Sequence, residues 1–149
     1  MWTITPDEVR AFQGHGEPFT AFVDDVIRAA AWMGGLPSVD VVTNLGTHLK
    51  DGGVDTTVSR AVPNDPTGRL TGPTAWQYKA RSKGNVEGPA ELLSGPRIRE
   101  LIAEGYAYRL AVADYYAEPD KTALEQALIA EIRSITQRHR PRCCLRQMP

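Results

Sequence analysis

Two β-patterned runs constrain this chain most. One spans Val54 to Arg60 and follows Asp51-Gly52-Gly53; the other spans Thr74 to Ala80. Between them lies a breaker-rich loop, Val62 to Pro73, that is long for a hairpin. Long loops of this kind are often binding elements. Residues two apart on a strand share a face. Gln77 and Lys79 therefore project together, and Trp76 and Tyr78 project the other way, where core packing accounts for two aromatics better than base stacking does. If the runs pair, Asp55 joins Gln77 and Lys79 at one end of a sheet. A carboxylate, an amide oxygen and an ammonium in one patch can hold a hard divalent cation beside an attacking water or a phosphate oxygen.

The remaining pattern surrounds this pair with helices. Thr5-Pro6-Asp7-Glu8 is a helix start, with Thr5 as cap, Pro6 at the first turn and Glu8 completing a capping box. A second helix runs from near Pro18 to about Met33 and ends at Gly34-Gly35. Its apolar stripe is Phe19, Phe22, Val23, Val26, Ile27 and Ala30, with Thr20, Asp24, Asp25 and Arg28 off the stripe. Val39 to Thr43 is β-branched and reads as a strand, and Asn44 to Lys50 as a turn. A short helical piece over Pro89 to Leu93, a helix from Pro96 to Ala103 and a strand from Tyr106 to Ala113 follow. The last periodic segment is a helix from Lys121 to about Thr136, with Leu124, Leu128, Ile129, Ile132 and Ile135 on one side. The order predicts an α/β fold in which helices cover both faces of a mixed sheet. The first three strands form an antiparallel meander, and the fourth joins through a helical crossover.

At 149 residues the chain suits one domain, over 1–137, with 138–149 as a flexible tail or the start of a further segment. A formal net charge of −1 gives no bulk pull towards nucleic acid, so any such contact needs a local basic patch. No apolar run approaches the roughly 20 residues that span a bilayer. The N-terminus lacks a signal-peptide pattern, so the expected place is the cytoplasm, with no membrane contact. Cys143 and Cys144 are adjacent, a placement that rarely forms a disulfide and makes no metal site alone, so neither carries a role.

The element order, with Asp55 on the second strand and Gln77-Tyr78-Lys79 on the third, resembles the PD-(D/E)XK nuclease superfamily. These nucleases share the restriction-endonuclease-like fold, with an α-β-β-β-α-β core. The glutamine in the Q-x-K motif and the glycine-flanked Asp55 of DGGVD are similar to the Mrr-like branch. The resemblance covers roughly residues 17 to 113. It implies Mg²⁺-dependent (or Mn²⁺-dependent) hydrolysis of phosphodiesters in double-stranded DNA by a homodimer or larger oligomer. It also implies a setting, since many relatives are N-terminal effector domains of restriction or antiphage defence proteins. Such members often aim an acid at the metal from the first core helix. Here that helix offers Glu17, Asp24 and Asp25, and Asp25 is preferred because it precedes Val26 and Ile27.

The roles that follow are specific. Asp55 ligates the metal, Gln77 adds its amide oxygen, and the backbone carbonyl of Tyr78 can add another. Lys79 orients or deprotonates the attacking water or holds the scissile phosphate, as suits a compact point charge. Arg81 and Lys83 follow the catalytic strand and either line a phosphate track, with Gly53 allowing close backbone approach, or are ordinary surface charge. Asp51 is a second polar contributor at the strand mouth or a plain turn residue, and His48 is a loop residue rather than a base. Set against the enzyme reading are a nuclease-like module that binds DNA or a partner without cutting, and an unrelated α/β interaction domain in which Asp55 and Lys79 lie far apart.

Overall fold

The computed structural model describes residues 4–44 and 52–139. All but the first residue of the turn expected over Asn44 to Lys50, with His48, lies outside them, as do Asp51 and the segment from 140 onward with Cys143 and Cys144. The elements are α1 (Pro6–Arg10), α2 (Gly16–Met33), β1 (Val41–Thr43), β2 (Thr56–Val58), β3 (Thr74–Lys79), α3 (Pro89–Leu92), α4 (Pro96–Ala103), β4 (Ala107–Val112) and α5 (Glu118–His139). Single 3₁₀ turns occupy Ser38–Asp40 and Lys83–Asn85.

Local chemistry sets the helix ends. Thr5 and Glu8 close the capping box on α1. The C-terminus of α2 is a Schellman turn: Gly35 N–H bonds the Trp32 carbonyl and Leu36 N–H bonds the Ala31 carbonyl, each near 3 Å. Gly35 carries a φ of +88° there, a conformation that costs other residues strain. α5 continues to His139, so the helical pattern extends past 137.

The four strands form one mixed sheet in the order β1-β2-β3-β4. β1, β2 and β3 are an antiparallel meander, and β4 is parallel to β3 after the crossover through α3 and α4. β1 and β2 are shorter than the sequence suggests. The run expected from Val39 starts as a 3₁₀ turn, in which the Asp40 carboxylate takes Ser59 Oγ at 2.9 Å and the Arg60 guanidinium at 2.5 Å. The Asp40 carbonyl still accepts the Ser59 N–H at 2.9 Å, so one backbone bond joins the turn to the residue after β2.

Each sheet face has its own core. Phe19, Val23, Ile27 and Ala31 of α2 pack with Val41, Val58 and Tyr78. On the opposite face Ala75 and Tyr108 pack with Leu92, Leu93, Ile98, Leu101 and Ile102, and α5 adds Leu128 and Ile135 over α3 and α4. Burying one such Leu or Ile is worth about 1.5–3 kcal/mol, so both faces contribute to holding β3 in place.

Two helical stripes need correction. In α2 Val26 is 48% exposed, while Thr20 and Asp24 are buried. The face touching the sheet runs through Phe19, Thr20, Val23, Asp24, Ile27 and Ala31, and Val26 lies round the helix from it. Asp24 is tolerated inside because it is bonded: Arg28 Nε at 2.7 Å, Thr56 Oγ1 at 3.4 Å, and the Thr43 hydroxyl. In α5 Ile129 is exposed, whereas Leu128 and Ile135 are buried.

Candidate metal and phosphate site

β3 is an inner strand, and its last turn outward carries the candidate residues. The ladder between β2 and β3 ends at Thr56 opposite Trp76. Asp55 follows directly, with its N–H on the Trp76 carbonyl at 2.9 Å. Its carboxylate Oδ2 then accepts the Tyr78 N–H at 2.7 Å, so a side chain takes the place of the next backbone rung. Asp55 is thereby anchored on the residue between Gln77 and Lys79.

Gln77 is buried at 7% exposure and faces the α4 side. Its Oε1 accepts the Tyr108 hydroxyl at 2.8 Å. Burial, then the charges of Asp55 and Glu87, push the Tyr108 phenol upward, which keeps that hydroxyl a donor. Lys79 Nζ lies 3.4 Å from Glu87 Oε1, and Arg81 reaches the same oxygen at 3.1 Å. Burial pushes the Glu87 carboxyl up, but its own backbone N–H and the Lys79 and Arg81 cations outweigh that and hold it below the ordinary 4.5. Glu87 Oε2 is buried and has no hydrogen-bond partner among the described residues.

Glycines fix the floor of this group. Gly52 and Gly53 have φ of +67° and +89°. The Gly52 carbonyl accepts the Ile98 N–H at 3.3 Å in the first turn of α4, and a Cβ on Gly95 would sit 1.9 Å from that carbonyl oxygen. A Cβ on Gly53 would lie 3.5 Å from Gln77 Nε2. Gly53 therefore packs against the Gln77 amide, a backbone support at the site.

The expected residues divide clearly. Asp55, Gln77 and Lys79 stand along one end of β3. Tyr78 shares its backbone with that group while its ring goes to the α2 core, as the alternation predicts. Its buried hydroxyl has no well-formed hydrogen bond among the described residues; burial pushes its pKa up, Thr56 pulls against that, and the Asp24 and Asp55 charges push the same way as burial. Asp25 and Glu17 are exposed on α2, which packs on the sheet face opposite Gln77. The inward acid of that helix is Asp24, which faces Thr43 and Thr56, and the preference for Asp25 is corrected accordingly. Arg81 and Lys83 are exposed, and Lys83 pairs with Asp120 at 3.1 Å. Such surface pairs are weak, about 0–1 kcal/mol, and exchange readily for another anion. An open cleft of about 500 Å³ adjoins the same strand end, lined by Gln13, Gly14, Ala80, Arg81, Ser82 and Asn85. None of Asp55, Gln77 and Lys79 lines it.

Glu87 and Tyr108 were not singled out from the sequence. Glu87 sits in a polar Gly-rich stretch without periodicity. Tyr108 looks like any aromatic on a strand, and only parallel pairing of β3 with β4 brings it to Gln77. Among the described residues no three His, Cys, Asp or Glu side chains converge as a metal-holding group. Nor is any described helix long and apolar enough to cross a membrane.

Comparison with protein-family models, with curated proteins and with solved structures gave no match. The fold and the chemistry of the site carry the functional reading.

Proposed function

We propose that the chain is a Mg²⁺- or Mn²⁺-dependent deoxyribonuclease with a restriction-endonuclease-like core, which hydrolyses phosphodiesters of double-stranded DNA in the cytoplasm. The observation that carries this reading is the Asp55 carboxylate held on the Tyr78 N–H, between Gln77 and Lys79. The donor set fits a hard cation. Its atoms are oxygens, Glu87 on the far side of Lys79 keeps a buried carboxylate oxygen with no hydrogen-bond partner among the described residues, and Mg²⁺ is usually held by one or two carboxylates with water and substrate phosphate completing the shell. Asp55, the Gln77 amide oxygen and the Tyr78 carbonyl would hold it. When bound, the ion would lower the pKa of a water and offset charge building on the phosphoryl group.

The chain's own residues do the rest. Lys79 holds a phosphate oxygen or orients the attacking water by exchanging its long contact with Glu87 for the substrate. Arg81 and Lys83 release their weak surface partners and grip flanking phosphates, which fixes position without reading sequence. Gly53 keeps the backbone low beside Gln77. For self-association, support comes from the exposed Trp32, Met33, Val39 and Val42 around the α2–β1 connection, next to the outer edge of the sheet.

A second reading is a module that binds DNA or a partner without cutting. It is favoured by the way the site's polar groups satisfy each other: Tyr108 on Gln77, and Tyr78 N–H on Asp55. Supercoiled plasmid incubated with Mg²⁺ or Mn²⁺, comparing the chain with Lys79→Ala, separates the two. Nicking or linearisation lost in the variant supports the enzyme. DNA retention without cleavage in both supports the silent module, and equal cleavage by both removes the enzyme reading.

A further inference from the structure

The Asp55 and Gln77 pair offers a divalent ion only one negative charge. Glu87, on the segment that follows β3, could add another. Its Oε1 is occupied twice, by Lys79 at 3.4 Å and Arg81 at 3.1 Å, yet its Oε2 is buried and bonded to nothing described. A buried, unsatisfied carboxylate oxygen is costly and calls for a physical reason. The contacts run continuously from Asp55 to the Tyr78 N–H, along β3 to Lys79, and from Lys79 to Glu87. The Tyr108 hydroxyl, bonded to Gln77, is close enough to feel both carboxylates.

We propose that Glu87 is the second carboxylate ligand of the divalent cation, giving through Oε2 the acid that Gln77 does not carry. This rests on the metal-dependent reading of the same site. Glu87 then has two jobs on two oxygens. Oε1 holds Lys79 against the Gln77 face, and Oε2 faces the ion. The alternative is a purely structural clamp, in which Glu87 only ties Lys79 and Arg81 to the segment after β3.

Mn²⁺ binding separates these, read by calorimetry and by the electron paramagnetic resonance signal of free Mn²⁺ on the whole chain, with no substrate and no turnover. The variants are Glu87→Gln, Asp55→Asn and Arg81→Ala, with circular dichroism as the check on folding. Glu87→Gln and Asp55→Asn should each weaken Mn²⁺ binding by roughly 10- to 100-fold. Arg81→Ala removes half of the clamp, no ligand and a repelling cation, and should bind Mn²⁺ no more weakly than the parent, whereas a purely structural clamp predicts weaker binding here too. If Glu87→Gln fails to fold, Glu87→Asp keeps the charge, retracts the oxygen, and should still weaken binding. Asp55→Asn weakening Mn²⁺ while the Glu87 variants bind like the parent would overturn the Glu87 assignment and leave the metal reading standing. A parent chain that binds no Mn²⁺ at millimolar concentration overturns both.

Discussion

The carboxylate of Asp55 stands on the backbone N–H of Tyr78 at 2.7 Å, in the place where β2 would otherwise supply a carbonyl. This contact gives Asp55 a structural duty as well as a chemical one, and substitutions can divide them. Asp55→Asn keeps an oxygen for the N–H but loses the charge. We expect a small loss of stability, about 1 kcal/mol, with a large loss of cation binding. Asp55→Ala leaves the N–H unmet and should cost about 1–3 kcal/mol. Urea denaturation of the two variants reads the difference, and equal stabilities would show that the N–H has no need of the side chain.

Lys79 is the residue whose removal should hurt chemistry most and fold least. It is only partly buried, and its contact with Glu87 is long. Lys79→Ala should reduce plasmid cleavage by roughly 10²–10³-fold, the scale for losing one group that stabilises developing charge. Its melting temperature should stay close to that of the parent.

Tyr108→Phe removes the only described donor to Gln77 Oε1 and leaves that oxygen buried. The expected cost is about 1–3 kcal/mol. Gln77→Leu in the same background should recover part of it, since replacing both partners by apolar groups removes the unmet acceptor. A double-mutant cycle by chemical denaturation that finds simple additivity would show that the bond contributes nothing specific.

Gly95→Ala tests the crossing of two backbones. The added methyl would sit 1.9 Å from the Gly52 carbonyl oxygen, which no side-chain rotation can relieve. Overpacking of this kind costs about 1–3 kcal/mol. Gly84→Ala, with open space around its Cβ, is the matched control and should be near neutral. Thermal melts of the two variants give the comparison.

Acid stability has a defined sign. Asp114 accepts the Lys83 and Tyr115 N–H groups and an Arg10 bond, which hold it below 3.8, and Glu87 is likewise held below 4.5. A depressed folded-state pKa stabilises fully above the unfolded value and is lost as pH falls through the folded one. Stability should be level above about pH 5 on this account and decline from about pH 4.5 downward. Asp114→Asn should flatten part of that decline in melts taken between pH 3 and 7; an unchanged acid limb would exclude Asp114 as a contributor.

The parts of the fold legible in the sequence were those written in short-range chemistry. The Thr5–Glu8 capping box, the prolines opening α3 and α4, and the alternation that sets Gln77 and Lys79 against Trp76 and Tyr78 all depend on neighbours a few residues apart. The misread positions depend on distant partners. Asp24 looks like a surface acid until Thr43 and Thr56 arrive from two strands to bond it. β1 looks longer until Ser38 to Asp40 coil into a 3₁₀ turn that Ser59 and Arg60 hold from across the sheet. Tyr108 acquires meaning only once β3 and β4 lie side by side, and Glu87 only once the aperiodic segment after β3 folds back onto Lys79 and Arg81. Of the candidate site, the spacing on β3 was readable, and its surroundings were not.

The crossing of Gly52 over Gly95 has a mechanical consequence. Two bare backbones touch there with no room for even a methyl group, and a carbonyl of one ties to the start of a helix in the other. The segment that leads through Asp55 into β2 and the crossover leading to β4 are thus tied at one point. A displacement of the glycine segment would meet the first turn of α4 directly, with no side chain between them to absorb it.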